Sequence, residues 1–341
     1  MKAAVFYGIR DVRLEEIDVP EIKDDEVLVK VRVALTCGTD KKMYLRGYHL
    51  AKPPFVFGHE FAGDIVKVGK KVKGFYEGQR VVAANSAPCN YCYFCKIGKK
   101  SVCENLFIRV SGAFAEYVDV PSPIVKQNLF PIPDHVSYKE AALLEPLACV
   151  VHGIEESGIK LGDTVVINGA GPIGLMFVRL AKLKGARVIV TGSGRERLDA
   201  AKKLGADEII DIHQVEDQVE AVRELTEDKR GVDVGIEAVG RPEVWEKTIK
   251  MVRKGGTVNL FGGCASGTKI NLDTHLIHYS QLTLKGVFHH TPEHVKRALT
   301  IISQKEINAE CIVKDEVKLS DFSRVLGMMV EKKGIKIAVV P

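Results

Sequence analysis

The sequence VVINGAGPIG, at residues 165–174, joins a short β-branched run to a G-x-G-x-x-G turn. Apolar side chains at helical spacing follow over residues 175–184, and a second β-branched run follows at 187–191. Such a turn lets the backbone approach a pyrophosphate, and the helix N-terminus supplies amide donors. This context predicts dinucleotide binding and outweighs the alternative of an ordinary strand-to-helix turn. The expected contacts are Gly169, Gly171, Pro172, Ile173 and Gly174.

Strands and helices alternate around this turn. Because strands joined by helical crossovers pair in parallel, the pattern predicts an α/β unit with a doubly wound, parallel, six-stranded sheet. The predicted strands are 164–168, 187–191, 208–212, 232–237, 257–261 and 282–287. The predicted helices between them include 195–204, 215–226 and 242–252.

The flanking segments have a different character. Residues 1–148 are strand-rich and broken by Gly and Pro, as expected for an antiparallel or barrel-like sheet. After the last strand, a helix is predicted at 292–304, and the chain then returns to the first segment through 309–317. The His289-His290 pair lies at the end of that last strand. One hypothesis is that it contacts substrate or cofactor, because loops at strand ends carry function, and the alternative of a pair without such a contact stays open.

Four of the eight cysteines lie close together in a polar loop, with the spacing C-x2-C-x2-C-x7-C. Four thiolates suit one tetrahedral zinc ion and leave no position for water, which indicates a structural site. One alternative is a set of free thiols or disulfides, and another is a zinc ribbon that binds nucleic acid. Such ribbons usually carry two separated C-x2-C pairs. The predicted ligands are Cys89, Cys92, Cys95 and Cys103.

A second set of metal-binding residue types lies outside this loop. Cys37 opens a Cys-Gly-Thr-Asp segment, His59 and Glu60 follow Gly58, and Glu145 precedes a proline. Thiolate, imidazole and carboxylate are ligands of catalytic zinc sites that keep an open position. Each residue alone has an ordinary structural explanation, so the prediction depends on their occurrence together.

These motifs, with the segment at 112–117, resemble the zinc-containing medium-chain alcohol/polyol dehydrogenases, in particular the sorbitol and threonine dehydrogenase branch. The resemblance covers the whole chain. It implies a GroES-like β-barrel catalytic domain formed by residues 1–148 and 290–341, with the structural zinc loop at 88–104. It also implies a Rossmann domain at 149–289 and an active site in the cleft between the domains.

The resemblance further implies two zincs per subunit and a catalytic role for three side chains. Cys37 and His59 would bind the catalytic zinc, and either Glu60 or Glu145 would supply the carboxylate, directly or through water. Thr39 matches the hydroxyl relay of the family. Many relatives place a histidine two residues after the aspartate of this motif, where this chain has Lys42. The last step of the relay therefore stays open, as does the alternative that Lys42 is a solvated surface lysine.

Together these features predict hydride transfer between a secondary alcohol, such as a polyol, sugar or sugar acid, and NAD(P). Zinc would lower the pKa of the alcohol. One alternative is a simple secondary-alcohol dehydrogenase. Another is a non-catalytic binding protein on the same scaffold, which would be expected to lack Cys37, His59 or the glycine turn, whereas all three are present.

The end of the second strand favours NADP over NAD. Gly192 stands where NAD-binding units carry an acidic residue that binds the ribose hydroxyls. Ser193, Arg195 and Arg197 offer hydrogen bonds and positive charge to a 2′-phosphate. Glu196 leaves the NAD alternative open, because its carboxylate can reach back toward the ribose.

Bulk properties predict a soluble globular protein, reduced thiols in a metal loop favour the cytoplasm, and the resemblance implies a small-molecule alcohol or ketone substrate. The chain has 341 residues, 46% of them hydrophobic and 27% charged, with a net charge of +5. This mild, dispersed charge argues against nucleic-acid binding, and no apolar stretch of about 18 residues predicts a membrane span. Residues 1–7 predict a strand and not a signal peptide. The resemblance implies a homotetramer.

Overall fold

The computed structural model describes residues 1–47, 52–108 and 112–341. Contacts between Cα atoms divide the chain into two compact units. The first unit comprises Met1–Ala148 and His290–Pro341, and the second comprises Cys149–His289. Within the described ranges, no helix combines the length and the apolar character needed to cross a membrane.

The first segment of the chain is mainly β-structure with short helices. Its strands are β1 (Lys2–Gly8), β2 (Asp11–Glu16), β3 (Val27–Leu35), β4 (Phe55–Val56), β5 (Glu60–Val68), β6 (Arg80–Ala83), β7 (Ser86–Ala87), β8 (Phe107–Ile108), β9 (Tyr117–Val120) and β10 (Leu129–Pro131). Its helices are α1 (Gly38–Arg46), α2 (Tyr93–Lys96), α3 (Ser122–Gln127) and α4 (Tyr138–Ala141).

Helix α5 (Leu144–Glu156) leads into the second unit, where strands and helices alternate. The strands are β11 (Thr164–Asn168), β12 (Arg187–Gly192), β13 (Glu208–Asp211), β14 (Val232–Glu237), β15 (Val252–Leu260) and β16 (Thr283–Gly286). The helices are α6 (Pro172–Leu183), α7 (Arg195–Lys203), α8 (Gln218–Glu224), α9 (Pro242–Met251) and α10 (Thr274–Tyr279).

The last segment returns to the first unit. Its elements are α11 (Pro292–Ser303), α12 (Ala309–Ile312), β17 (Val313–Lys318), α13 (Phe322–Glu331) and β18 (Lys336–Val340). Strand β18 pairs with β3, so the end of the chain completes a sheet that its beginning started.

Within the described residues, the largest sheet of the first unit has seven strands in the order β10-β6-β5-β3-β18-β17, and β9 pairs with β3 as a branch. Strand β3 is long enough to pair antiparallel with β5, β9 and β18 along its length. Four buried aromatic rings pack in the core of this unit, and the rings of Phe114 and Phe322 have centroids 4.9 Å apart. The four are Phe6, Phe57, Phe114 and Phe322.

The described strands of the second unit form one parallel sheet in the order β13-β12-β11-β14-β15-β16. The order reverses between β11 and β14, which are neighbours in space but not in sequence. Parallel sheets with helices on both faces have strands that are apolar throughout, and Val165, Val166 and Ile167 of β11 are fully buried. The predicted α/β fold with a six-stranded parallel sheet is confirmed.

Three elements begin three or more residues away from the sequence-based expectation. Helix α6 begins at Pro172 and not at 175, because proline is well suited to the first position of a helix. Helix α8 begins at Gln218 and not at 215, because the Asp217 carboxylate accepts hydrogen bonds from the amides of Val219 and Glu220. Strand β15 begins at Val252 and contains an irregularity in its pairing with β14 before Thr257.

Candidate functional site

Cys37 is placed by the start of helix α1. It is the N-cap residue, and its Sγ atom lies 3.5 Å from the amide nitrogen of Thr39. The Asp40 carboxylate accepts a hydrogen bond from the Cys37 amide at 2.8 Å, which closes a capping box around the cysteine. The cap thus fixes the position of the Cys37 sulfur at the start of α1.

His59 is held in a buried position next to the same carboxylate. Its Nδ1 atom lies 3.2 Å from Asp40 Oδ1, so the other ring nitrogen is available as a metal ligand. Burial opposes a charged imidazole, but Asp40 and Cys37 outweigh it and raise the pKa of His59 well above its ordinary value. Gly58 precedes it with φ +88°, and an added Cβ there would lie 2.5 Å from the Phe114 ring. The backbone at His59 is thus fixed by core packing.

Glu60 forms a fully buried ion pair with Lys336. The Nζ atom of Lys336 lies 2.6 Å from Glu60 Oε2 and 2.9 Å from Oε1. Burial raises the pKa of Glu60 to about 7 against the opposing charge of Lys336, and Glu145 adds to the increase. Burial alone would lower the pKa of Lys336, but Glu60 and Cys37 reverse the effect and raise it. Glu60, Glu145 and Lys336 therefore interact electrostatically in this site.

The ligand atoms of Cys37, His59 and Glu60 all lie within 4.8 Å of one another. A partly buried thiol next to a buried imidazole and a buried carboxylate fits a zinc ion with an open coordination position. Glu145 is also buried, and its carboxylate lies 3.8 Å from His290 Nε2, which is 3.4 Å from Asn85 Oδ1.

The two residues considered for the proton relay, Thr39 and Lys42, both lie on α1. Thr39 is partly exposed and is the second residue of α1. Its amide nitrogen lies 3.5 Å from the Cys37 sulfur. Lys42 is exposed on the same helix, which is consistent with the surface alternative.

The four clustered cysteines converge on one point. Sγ atoms are separated by 3.4 Å for Cys89 and Cys103, 3.7 Å for Cys92 and Cys103, and 4.0 Å for Cys89 and Cys95. A tetrahedral zinc with Zn–S bonds of about 2.3 Å requires sulfurs about 3.8 Å apart. All eight cysteines lie in the described ranges, and none forms a disulfide. The geometry therefore fits zinc and excludes the disulfide alternative.

Backbone amides donate to two of the sulfur atoms in this lobe, which we define as residues 88–104. The Cys92 amide donates to Cys89 Sγ at 3.4 Å, and the Cys89 amide donates to Cys103 Sγ at 3.3 Å. Burial raises the pKa of Cys89, but amide donors from Tyr91 and Cys92 outweigh it and bring this pKa to about 6. A lowered thiol pKa favours the thiolate that binds metal.

The glycine turn in the second unit has the form needed for a pyrophosphate. Gly169 has φ +128°, and an added Cβ at Gly174 would lie 1.8 Å from the Gly169 carbonyl oxygen. These two glycines are therefore required by the turn itself. An added Cβ at Gly171, in contrast, would meet nothing within 4 Å. Internal packing does not require this glycine, so its absent side chain leaves space for a ligand at the start of α6.

The specificity segment follows β12. Gly192 is the last residue of that strand and is buried, with an added Cβ coming within 2.7 Å of Ala170 Cβ. Arg195 is exposed and forms an ion pair with Asp199 at 3.0 Å. Arg197 is half-buried, and burial lowers its pKa. Both arginines belong to the first turn of α7, which begins three residues after β12 ends.

Sequence reasoning missed two side chains of the metal cluster. Lys336 lies 276 positions after Glu60, and no local pattern connects the two. Asp40 belongs to a quoted motif, but no role was predicted for it. Its position three residues after an N-cap is a signal that was available, because an acidic residue there completes a capping box.

Comparison with known proteins agrees with this geometry. Residues 23–134 match the alcohol dehydrogenase GroES-like domain family, and residues 172–304 match the zinc-binding dehydrogenase family. The sorbitol dehydrogenase of Bacillus subtilis (strain 168) is 34% identical over 100% of this chain and 97% of its own length. D-arabinitol dehydrogenase 1 of Uromyces fabae is 33% identical over 100% of this chain and 97% of its own length.

A similar solved structure is a putative zinc-binding dehydrogenase from Sinorhizobium meliloti 1021 bound to NADP. It is 31% identical, with a TM-score of 0.90 over 100% of this chain and 99% of the other. The chain belongs to the zinc-containing medium-chain alcohol/polyol dehydrogenases, in the sorbitol/threonine dehydrogenase-like branch. It is an oxidoreductase that uses zinc, a nicotinamide cofactor and a small-molecule alcohol substrate. The predicted family and enzyme class are confirmed.

Proposed function

We propose that this enzyme oxidises a secondary alcohol of the polyol class with NADP, using a zinc ion held by Cys37, His59 and a carboxylate. One observation carries the proposal: the three ligand atoms of Cys37, His59 and Glu60 lie within 4.8 Å of one another, and the imidazole and carboxylate are buried. The non-catalytic alternative gives no reason for this cluster.

The residues of the first unit act on the metal and on the substrate proton. The Asp40 carboxylate lies 3.2 Å from His59 Nδ1 and accepts a hydrogen bond from the Cys37 amide, so one carboxylate orients two ligands. Lys336 balances part of the negative charge and fixes Glu60. Bound zinc supplies a Lewis acid that polarises the substrate oxygen. Thr39 would accept the proton that the alcohol loses and pass it on, as the resemblance to the family's hydroxyl relay implies.

The polyol class is supported by the relatives that are named for sorbitol and arabinitol. A panel of purified substrates tests it: polyols, sugar acids, their phosphates and simple secondary alcohols, compared by kcat/KM. The proposal predicts that a polyol or polyol derivative has the highest value. A simple secondary alcohol with a kcat/KM ten-fold higher than every polyol would instead establish the runner-up class.

NADP is supported by Gly192, Ser193 and the two arginines of α7. Wild-type enzyme should show a higher kcat/KM with NADP than with NAD. Gly192→Asp should shift the preference toward NAD, because a carboxylate repels a 2′-phosphate and binds ribose hydroxyls. Any side chain at this position presses on Ala170, so Gly192→Ala is the matched control for the steric effect. A ten-fold wild-type preference for NAD would contradict the proposal, as would equal preferences in the two variants.

Two zincs per subunit follow from two separate ligand sets. The four thiolates of the lobe use every position of a tetrahedral ion, so this second zinc has no open site and a structural role. We also propose a cytoplasmic location, which a cluster of reduced thiols supports.

A homotetramer is the proposed assembly. Apolar side chains are exposed on the lobe, among them Tyr91, Tyr93 and Ile97. In the second unit, β16 is an edge strand of the parallel sheet, and edge strands with unpaired backbone groups are ready to pair with another chain. Sedimentation at micromolar concentration should give four times the chain mass of 37.5 kDa, whereas a monomer would refute the proposal.

A further inference from the structure

Glu237 is a fully buried carboxylic acid at the end of β14. Its register partner on the neighbouring strand β11 is Asn168, the residue immediately before the glycine turn. The sheet order reverses between these two strands, and ligands of doubly wound sheets bind in the crevice at the carboxyl ends of such strands. Glu237 therefore lies beneath one wall of the crevice that the glycine turn opens.

The carboxylate holds the loop that leaves β14. Its Oε1 atom accepts hydrogen bonds from the amides of Val239 and Gly240, both at 2.8 Å. The other oxygen, Oε2, lies against Gly262, where an added Cβ would come within 2.5 Å of it. Among the described residues, Oε2 makes no well-formed hydrogen bond. Burial raises the pKa of Glu237 to about 7, against the opposing effect of the amide donors.

This loop packs directly on the glycine turn. An added Cβ at Gly169 would lie 2.7 Å from Val239 Cγ2 and 3.2 Å from the Ala238 backbone. The Ala238 amide also donates to the Asn168 carbonyl oxygen at 3.0 Å. Gly240 approaches the next loop, because its added Cβ would lie 2.5 Å from the Gly263 carbonyl oxygen. Residues 238–240 are thus confined between the glycine turn and the loop after β15.

We infer that Glu237 is a positioning residue for the dinucleotide: by holding the amides of Val239 and Gly240, it fixes residues 238–240 against Gly169 and so shapes one wall of the cofactor crevice. The inference rests on the proposed binding of the dinucleotide at the glycine turn. A buried carboxyl group is costly compared with an apolar residue, and a network of this kind makes a loop rigid. If this wall is already rigid in the free protein, less conformational entropy is lost when the dinucleotide binds.

The test compares the affinity for NADPH and NADH, measured by fluorescence titration, with thermal stability. Glu237→Gln keeps an oxygen that accepts the two amide hydrogen bonds, so its dissociation constants should stay within about three-fold of wild type. Glu237→Ala removes the acceptor and should raise them about ten-fold or more. Its KM for the cofactor should rise, while kcat at saturating cofactor changes little.

A structural role alone would give a different result. Asn259 is a matched control, because it is fully buried in β15 and bonds to Gly153 and Ser157. Asn259→Ala should lower the melting temperature and leave the dissociation constants within about two-fold. Unchanged affinity in Glu237→Ala, or an equal loss in Asn259→Ala, would overturn the inference.

Two further measurements cover the cases in which Glu237→Ala does not fold or the wild type does not bind a dinucleotide. If Glu237→Ala does not fold, Glu237→Asp replaces it: withdrawing the carboxylate by one methylene should weaken binding, whereas Glu237→Gln does not. Equal affinity in the two variants would overturn the inference. If wild-type protein binds neither dinucleotide, the proposed function itself fails, and that outcome is distinct from failure of the inference.

Discussion

The buried pair of Lys336 and Glu60 is a residue-level feature with a measurable consequence. Lys336→Met leaves the Glu60 carboxylate buried next to Cys37 and Glu145 without its cation. Removing one partner of a buried ion pair costs about 3–5 kcal/mol, so the free energy of unfolding in urea should fall by about this amount. The double variant Glu60→Gln/Lys336→Met should recover much of the loss. A double variant no more stable than Lys336→Met would show that the pair is not the cause.

Glu145 provides a second prediction at this scale. A carboxylate next to a dication should stay ionised and either bind zinc or hold its water. Glu145→Gln should therefore lower kcat/KM by about 10–100-fold. This is the range expected when a group that hydrogen-bonds to a metal ligand is lost. The control is Glu155→Gln, which changes an exposed carboxylate on the same helix α5. Unchanged kinetics and zinc affinity in Glu145→Gln would exclude a role near the metal.

Glu237 makes stability depend on pH. Its folded-state pKa of about 7 lies above the ordinary 4.5. As the pH rises, the unfolded chain therefore loses the Glu237 proton at a lower pH than the folded protein does. The stability that the neutral form contributes is complete below about pH 4.5 and is lost as the pH rises through 7. Between pH 5 and pH 8, the wild type should lose up to about 3 kcal/mol relative to Glu237→Gln. A difference that is constant over this range would contradict the assignment.

At the scale of elements, the four-cysteine lobe should behave as a metal-dependent unit. The Lys100 ammonium group forms an ion pair with Glu293 at the first turn of α11, which attaches the lobe to a regular helix. Burial opposes ionisation of Glu293, but Lys100 outweighs it and lowers the pKa of this carboxyl to about 2. The pair is therefore ionised across the neutral range.

Removal of one zinc ligand should therefore destabilise the lobe. Cys92→Ser should lower the melting temperature and make residues 88–104 sensitive to limited proteolysis, because structural zinc contributes directly to folding. Cys311→Ser is the matched control, since Cys311 is equally buried in the same unit but belongs to no cysteine cluster among the described residues. Equal effects of the two substitutions would indicate a general cost of losing a buried thiol.

The same elements show what the sequence can and cannot predict. Strands β11 and β14 were predicted with their observed bounds, because fully buried strands of a parallel sheet are short runs of apolar residues between breaks. The starts of α6 and α8 were displaced by three residues each, since proline and aspartate act through local geometry that periodicity does not reveal. Contacts such as Lys336 to Glu60 depend on the pairing of β18 with β3, which only the folded chain brings about.

At the scale of the whole molecule, the central claim is that two zinc ions have different tasks. Metal content per chain, measured together with kcat/KM for wild type, Cys37→Ser and Cys92→Ser, tests this claim most directly. The account predicts two zincs in wild type and one in each variant. Turnover should be abolished in Cys37→Ser, with the fold retained by circular dichroism, whereas Cys92→Ser should lose stability but keep turnover in its folded fraction. One zinc per wild-type chain, together with an active Cys37→Ser variant, would contradict it.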